Sequence, residues 1–378
     1  MGNRVRRGVL WLLTAAILLT GLPLHATAAA PNAAATVLLE ARTGQVLTET
    51  NGDAVLPMGT MAKLMTVLLT ADAVACGQLS EDTVVTASPA ANARKGASIW
   101  LMPGEKMTVG ELLQGVIVGN ANDAAVALAE AVSDTEQAFV MDMNARAFDL
   151  GMRSTVFTNA DGTPDPAQVT TARDLALLCR ELLTHSFLLP YLTTWRTFLR
   201  GESTELVNEN TLTRTYEGML GIKAGHGEDT GYTLALAAQR DGMVCIAVVL
   251  GCPDEKERFA IGKTLLSAGF SGYQVTTPAF ADEFLHPVEV HGGTASAVQL
   301  TAEQLRGITV PSGQAALRTV VVLPVYADAP VRQGQRLGTA AFYAGDTLLY
   351  ETALVAAEDV PQMTISAAFL RLLDNMLK

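Results

Sequence analysis

The chain has 378 residues, long enough for two or three domains, and its 49% hydrophobic and 17% charged residues exclude a mostly disordered chain. Its formal net charge is −12. A chain this acidic repels phosphates, so we exclude nucleic acid as its partner.

A segment typical of an export signal opens the chain. Three arginines within the first seven residues precede an apolar run over residues 9–22, and small residues follow at 26–30. This order predicts a signal peptide over residues 1–29. An uncleaved anchor is the alternative, but the run is shorter than the roughly 20 residues that span a bilayer. We therefore expect an exported protein that works on the extracytoplasmic face of the membrane, in the cell envelope.

The next elements predict one large mixed domain. Apolar runs at 36–40 and 45–47 flank a turn with Gly44 and predict a β-hairpin. Helical spacing of apolar residues predicts helices over 61–76, 111–132, 135–150 and 174–183. Strand-like runs at 232–239 and 243–250 and a helix over 254–268 follow. The order predicts an α/β (α+β) domain over residues 30–275, in which a sheet carries an α-rich insert.

The remainder of the chain has a different pattern of apolar, glycine and proline residues. Residues 274–282 lack a regular pattern and predict a linker, and short β-like runs separated by glycine and proline predict a small all-β domain over 283–360. Residues 362–378 have the spacing of an amphipathic helix too short to span a bilayer. Two interpretations of this helix stay open: one that lies in a membrane interface, and one that docks on its own domain.

The cysteines do not indicate a metal or redox site. None of the four is spaced as Cys-x-x-Cys, and the five histidines do not cluster with them, so we expect no metal and no cofactor. We favour the interpretation that the cysteines are small apolar residues buried in the core. A disulfide between Cys245 and Cys252 stays open.

Three short segments carry residues suited to catalysis. The first places Thr60 and Lys63 three residues apart at a helix start, where the amine can reach the hydroxyl and act as its general base. The second holds Asn120 and Asn122, of which Asn122 also suits a helix cap. The third, Lys223-Ala224-Gly225-His226, precedes a strand and offers a cation and an open backbone edge to a peptide with a carboxylate.

With these segments in place, the chain resembles the serine-type D-alanyl-D-alanine carboxypeptidases, which are low-molecular-mass penicillin-binding proteins. The resemblance runs from about residue 35 to about residue 357. Its ordered matches include Asn122-Asp123, Asn159-Ala160-Asp161-Gly162, Asn208-Glu209-Asn210 and Pro330-Val331-Arg332-Gln333-Gly334-Gln335. It implies a β-lactamase/transpeptidase-like domain followed by the small β domain, and acyl transfer from the D-Ala–D-Ala end of peptidoglycan stem peptides. β-Lactams are the implied second class of ligand.

The resemblance also assigns roles, with three substitutions. The family motifs are Ser-x-x-Lys, Ser-x-Asn and Lys-Thr-Gly, and this chain keeps both lysines, the second asparagine and the glycine. Thr60, Asn120 and Ala224 stand where Ser, Ser and Thr are expected. The implied catalytic residues are Thr60, Lys63 and Asn120. The implied substrate-binding residues are Asn122, Lys223, Ala224, Gly225, His226 and Arg258, with the backbone amides of Thr60 and His226 as the oxyanion hole.

Each substitution has a physical consequence. The methyl group of Thr60 restricts χ1 and crowds the point of attack. Asn120 cannot relay a proton, which would cost roughly 10²–10⁴-fold in rate. Ala224 lacks a hydroxyl for the substrate carboxylate. Two functions follow: a D-Ala-D-Ala carboxypeptidase with a threonine nucleophile and reduced turnover, or a non-catalytic relative that binds stem peptides or a cell-wall partner. A class A β-lactamase fits less well, because the second domain does not suit it.

Overall fold

The computed structural model describes residues 32–278, 280, 285–313, 317–366, 368 and 369. The predicted signal peptide lies outside these residues, as does most of the predicted amphipathic helix. In the part of that helix that is described, Ile365 and Phe369 are exposed, and membrane binding by this segment stays a prediction. Within the described ranges no single helix is long and apolar enough to cross a bilayer, although the bent pair Ala172–Leu182 and Ser186–Thr193 meets those criteria together.

A five-stranded antiparallel sheet organises the first part of the chain. The strands are β1 (Ala35–Glu40), β2 (Val46–Thr50), β9 (Met219–Gly227), β10 (Gly231–Arg240) and β11 (Met243–Cys252), in the order β2-β1-β11-β10-β9. The predicted hairpins β1–β2 and β10–β11 are confirmed. Strands β2 and β9 are the two edges of this sheet.

Both faces of the sheet are covered, which explains why its central strands carry apolar residues on both faces. Successive side chains of a strand point to opposite faces. Val37 and Val248 therefore join the larger apolar cluster with the helical insert. Leu38 and Val249 join a second cluster, to which the helix that follows β11 contributes Leu266.

The insert between β2 and β9 is mainly helical. Its helices are α1 (Lys63–Ala75), α2 (Pro89–Asn92), α3 (Val109–Ile117), α4 (Asn122–Ser133), α5 (Glu136–Asp149), α6 (Ala172–Leu182), α7 (Leu189–Thr193) and α8 (Leu212–Thr215), with 3₁₀ turns at Gly59–Ala62 and Ser186–Leu188. Three small ribbons pair β3 (Leu56–Pro57) with β6 (Val169–Thr170), β4 (Val84–Thr86) with β5 (Lys106–Thr108), and β7 (Arg196–Leu199) with β8 (Thr204–Val207). Helix α1 is buried on nearly all sides, as its apolar sequence requires.

The continuous helix predicted over residues 111–132 is wrong. Helix α3 ends at Ile117 and α4 begins at Asn122. Between them Asn120 has a φ of +56°, a left-handed conformation that asparagine adopts more readily than most residues. The chain therefore turns at the segment that carries the two candidate asparagines.

The last part of the chain is a set of small sheets. Helix α9 (Glu255–Gly272) leads into β12 (Tyr273–Thr276), which pairs with β16 (Ile308–Pro311). An irregular linker was predicted over residues 274–282. This prediction is wrong at its start, because residues 274–276 belong to strand β12. The other strands are β13 (Val288–His291), β14 (Ala297–Val298), β15 (Leu300–Ala302), β17 (Arg318–Val322), β18 (Tyr326–Asp328), β19 (Arg336–Ala344) and β20 (Thr347–Ala356), in the sheets β14-β13-β18 and β15-β20-β19-β17.

All four cysteines are free. Cys245 and Cys252 both lie on β11, seven residues apart, which separates them by roughly 23 Å along an extended strand. A disulfide needs Cα atoms within about 7 Å, so the bridge left open from the sequence is wrong.

Candidate active site

A cavity of about 610 Å³ lies where the 3₁₀ turn before α1, the turn between α3 and α4, and the end of β9 meet. Four of the predicted site residues line it: Thr60, Asn120, Asn122 and His226. Its other lining includes the segments 94–97 and 161–164 and the side chain of Glu209. A larger depression of about 1080 Å³ beside α9 and β12 contains none of the predicted residues.

Thr60 lies on the 3₁₀ turn and faces β9. Its Oγ1 is buried and has no hydrogen-bond partner. An added Cβ on Gly225 would lie 1.9 Å from this oxygen, and one on Gly162 would lie 2.8 Å from the Thr60 Cα atom. Both glycines are therefore required for the close approach of their backbones to Thr60. The hydroxyl is held against the sheet edge with its hydrogen-bonding capacity unused.

Lys63 lies directly below this turn as the first residue of α1, and its side chain is fully buried. Its Nζ donates a hydrogen bond to the carbonyl oxygen of Asp161 and not to Thr60. Burial lowers the pKa of Lys63 to about 7, and the charge of Lys223 contributes in the same direction. Near neutral pH a large fraction of this amine is uncharged, as a general base requires.

Lys223 lies on the edge strand β9 and is 4% exposed. Burial lowers its pKa to about 8, against an opposing effect of Glu209. In the described part of the chain its amine has no hydrogen-bond or ion-pair partner. Because side chains alternate along a strand, Lys223 shares the face of Gly225, which contacts Thr60. The two lysines therefore lie on the two elements that meet at Thr60, and neither of them lines the cavity itself.

Ala224 points to the other face of β9. It is 3% exposed and packs in the apolar cluster on the α9 side of the sheet. The structure therefore does not bring this residue to the cavity, although the sequence predicted it among the substrate-binding residues.

The two asparagines make different contacts. Asn122 donates from Nδ2 to the carbonyl oxygen of Lys95 at 2.6 Å, and it is the first residue of α4 with no capping hydrogen bond. The helix-cap interpretation is therefore wrong. Asn120 is 9% exposed, and its Oδ1 has no partner, while its Nδ2 lies 3.5 Å from Glu209 Oε1.

Glu209 lines the cavity and was not among the site residues predicted from the sequence. Its neighbours Asn208 and Asn210 are buried, and their side chains bond to backbone at Thr194 and Leu212. They fix the loop so that Glu209 projects into the cavity. Its Oε2 has no hydrogen bond and lies 3.8 Å from His226 Nδ1. The motif Asn208-Glu209-Asn210 was the available signal, because an acid between two structural asparagines has a defined position.

Arg258 is not among the residues that line the cavity. It is 1% exposed, and its Nη1 donates to the carbonyl oxygens of Gly225 and Thr233 at 2.5 and 3.2 Å. These contacts hold the end of β9 in place. In the described residues no group of three or more His, Cys, Asp or Glu side chains could hold a metal ion.

The fold and the cavity define a penicillin-recognising peptidase with a β-rich second domain. Residues 24–254 match the D-alanyl-D-alanine carboxypeptidase family, and residues 273–362 match the C-terminal domain of penicillin-binding protein 5. The chain belongs to the D-alanyl-D-alanine carboxypeptidase family, and the fold class and the resemblance predicted from the sequence are confirmed.

Individual relatives agree over most of the chain. It is 33% identical over 337 residues to the D-alanyl-D-alanine carboxypeptidase DacF of Bacillus subtilis. The matched region covers 88% of this chain and 86% of that protein. The structure of penicillin-binding protein 5 from Haemophilus influenzae matches with a TM-score of 0.80 and 27% identity, over 88% of this chain and 98% of that one. Ampicillin-bound penicillin-binding protein D2 of Listeria monocytogenes matches with a TM-score of 0.59 and 28% identity, over 64% and 99%.

Proposed function

We propose that this chain is a D-Ala-D-Ala carboxypeptidase of peptidoglycan maturation that works outside the cytoplasmic membrane, with Thr60 as its nucleophile. The observation that carries the proposal is a buried lysine with a pKa of about 7 placed three residues after a hydroxyl that lines the cavity. Family membership supports the substrate class, and the predicted signal peptide supports the location.

The proposed reaction uses the side chains in sequence. Uncharged Lys63 takes the hydroxyl proton of Thr60 as Oγ1 attacks the carbonyl carbon between the last two alanines. The C–N bond breaks, and the proton passes to the leaving amine of D-alanine. Water then attacks the resulting ester and releases the shortened peptide and the Thr60 hydroxyl. Backbone amides of Thr60 and His226 stabilise the oxyanion.

The same residues explain why we propose a reduced rate. Lys63 bonds to the Asp161 carbonyl in the free protein, so it must change partner before it takes the proton. Asn120 occupies the position where a hydroxyl would relay a proton, and its amide cannot do so. Losing such a relay costs roughly 10²–10⁴-fold.

Binding of the substrate carboxylate is proposed for Lys223, whose ammonium is available for a charge-assisted hydrogen bond. Arg258 is proposed as a positioning residue for the Gly225 backbone. β-Lactams, which present a carboxylate and a reactive carbonyl, are proposed to acylate Thr60.

Covalent labelling by a fluorescent penicillin, together with release of D-alanine from a stem pentapeptide, tests this function. We expect slow labelling and slow release, both abolished in Thr60→Ala and Lys63→Met. Thr60→Ser should acylate faster, because it removes the methyl group and keeps the hydroxyl. Ser98→Thr, which changes a hydroxyl residue outside the cavity lining, is the matched control. Peptide binding with neither labelling nor release in any variant would identify a non-catalytic relative.

A further inference from the structure

Two opposite charges of the site keep unused hydrogen-bonding capacity within the described residues. The carboxylate of Glu209 has a buried Oε2 with no hydrogen bond, and the ammonium of Lys223 has neither a hydrogen bond nor an ion pair. A buried charge without a partner is costly. A ligand that supplies an acceptor to one and a donor to the other would satisfy both.

A second unpartnered atom lies beside Glu209. Asn120 is nine-tenths buried, and its Oδ1 has no hydrogen-bond donor, although its Nδ2 is directed at Glu209 Oε1. The unfilled acceptors Asn120 Oδ1 and Glu209 Oε2 therefore belong to two contacting residues of the cavity lining, and we call them the acceptor pair. Two adjacent acceptors, one of them charged, suit an ammonium group, which has three donors.

Strand β9, whose His226 lines the cavity, supplies the cation. Lys223 lies on the face of β9 that contacts Thr60, and His226 of the same strand lies 3.8 Å from Glu209. The negative charge of Glu209 acts on Lys223 and on Lys63, so the acceptor pair and the amines belong to one electrostatic unit. This unit has a negative end at Glu209, which lines the cavity, and a positive end at Lys223 on the adjoining strand β9.

We propose that Glu209 is a specificity-determining residue, and that with Asn120 it binds the ammonium group of a free α-amino acid whose carboxylate lies on Lys223. The ligand class is a zwitterion with adjacent charges. The D-alanine released in the proposed reaction belongs to this class. The inference thus rests on the proposed function for its choice of ligand, but binding requires no turnover.

This arrangement has a consequence for the reaction. Before cleavage the nitrogen of the last alanine is an uncharged amide, and after cleavage it is an ammonium. Glu209 therefore favours the product over the substrate at this position. We expect free D-alanine to stay in the cavity and to compete with stem peptides.

Ligand-observed NMR titration of the full chain tests the proposal with three probes. D-Alanine carries both charges, D-lactate lacks the ammonium, and D-alaninamide lacks the carboxylate. We expect D-alanine to bind about tenfold or more tightly than either of the others, which is the factor that one charge-assisted hydrogen bond contributes. Equal binding of D-alanine and D-lactate, or no binding of D-alanine, would overturn the proposal.

Variants assign the effect to Glu209. Glu209→Gln keeps the shape of the side chain and should lower the affinity for D-alanine to that for D-lactate, with D-lactate affinity not reduced. Asp229→Asn removes a negative charge from the lining of the same cavity, at a residue that has no hydrogen bond with Asn120. This variant should keep the preference for D-alanine. Equal losses for all three probes in Glu209→Gln, or the same change in Asp229→Asn, would contradict a specific ammonium site. None of the probes is a substrate, so these results do not depend on whether Thr60 acts as a nucleophile.

Discussion

Replacing Lys63 with methionine should change how the stability of the protein depends on pH. Methionine has nearly the same length and carries no charge. The pKa of Lys63 is about 7 in the folded protein against an ordinary value of 10.5, mainly because its amine is buried. Between these values the unfolded chain binds more protons than the native one, so the free energy of unfolding rises with pH.

The sign and size of the effect follow from these two pKa values. Below pH 7 the amine is charged in both states, and its burial costs the native state most. The cost falls as the pH rises from 7 to about 10.5. Between pH 7 and pH 9 this linkage adds about 2 kcal/mol to the unfolding free energy of the wild type. Lys63→Met lacks this contribution, although it also loses the hydrogen bond to Asp161 at every pH.

Urea unfolding at pH 7, 8 and 9, followed by tryptophan fluorescence, measures this difference. We expect the stability of the wild type relative to Lys63→Met to increase by about 2 kcal/mol over that range. Lys263→Met, which removes an exposed lysine of α9, should follow the wild type. If Lys63→Met shows the same pH dependence as the wild type, burial does not lower the pKa of Lys63. The role of Lys63 as a base with a pKa near 7 would then be wrong.

Three further predictions follow from the same contacts. In urea unfolding, Gly162→Ala should destabilise the protein by at least about 1 kcal/mol more than Gly151→Ala does. Both glycines have φ near +80°, but only at Gly162 would the added Cβ lie 2.2 Å from a backbone atom. Equal losses of stability would show that the backbone moves to accommodate the Cβ. Asp123→Asn should cost about 1–3 kcal/mol in the same assay, because the buried carboxylate accepts three backbone N–H groups and a serine hydroxyl; an unchanged midpoint would mean that these donors find other acceptors. The rate of penicillin acylation should rise with pH and level off above about pH 7, where Lys63 is uncharged; a rate that falls over this range would exclude Lys63 as the base.

Local patterns were sufficient for many elements of the fold. The turn at Arg240-Asp241-Gly242 connects two apolar strands, and its second and third residues have φ of +48° and +79°, as a tight hairpin requires. Helix α6 lies within one residue or two of its prediction, because a Thr171 cap and regular apolar spacing act within one segment. Such features depend on neighbours in the chain.

The predictions that failed depended on distant contacts. Apolar residues on both sides favoured one long helix, yet the chain turns at Asn120 and packs Ala121 into the core. The position of Arg258 was predicted from the resemblance alone, and its guanidinium group instead bonds to two backbone carbonyls within the domain. Neither result has a local signature.

The amino-acid order by itself determined which chemical groups are present: a hydroxyl three residues before an amine, a second lysine followed by a small residue and glycine, and an acid between two asparagines. Tertiary structure alone decided their state. Burial among distant segments removes water from Lys63 and lowers its pKa, and the alternation of β9 puts Lys223 on the face that meets Thr60 and Ala224 on the opposite face. The burial of an amine and the direction of a side chain both depend on atoms far apart in the chain. For that reason no motif encodes them.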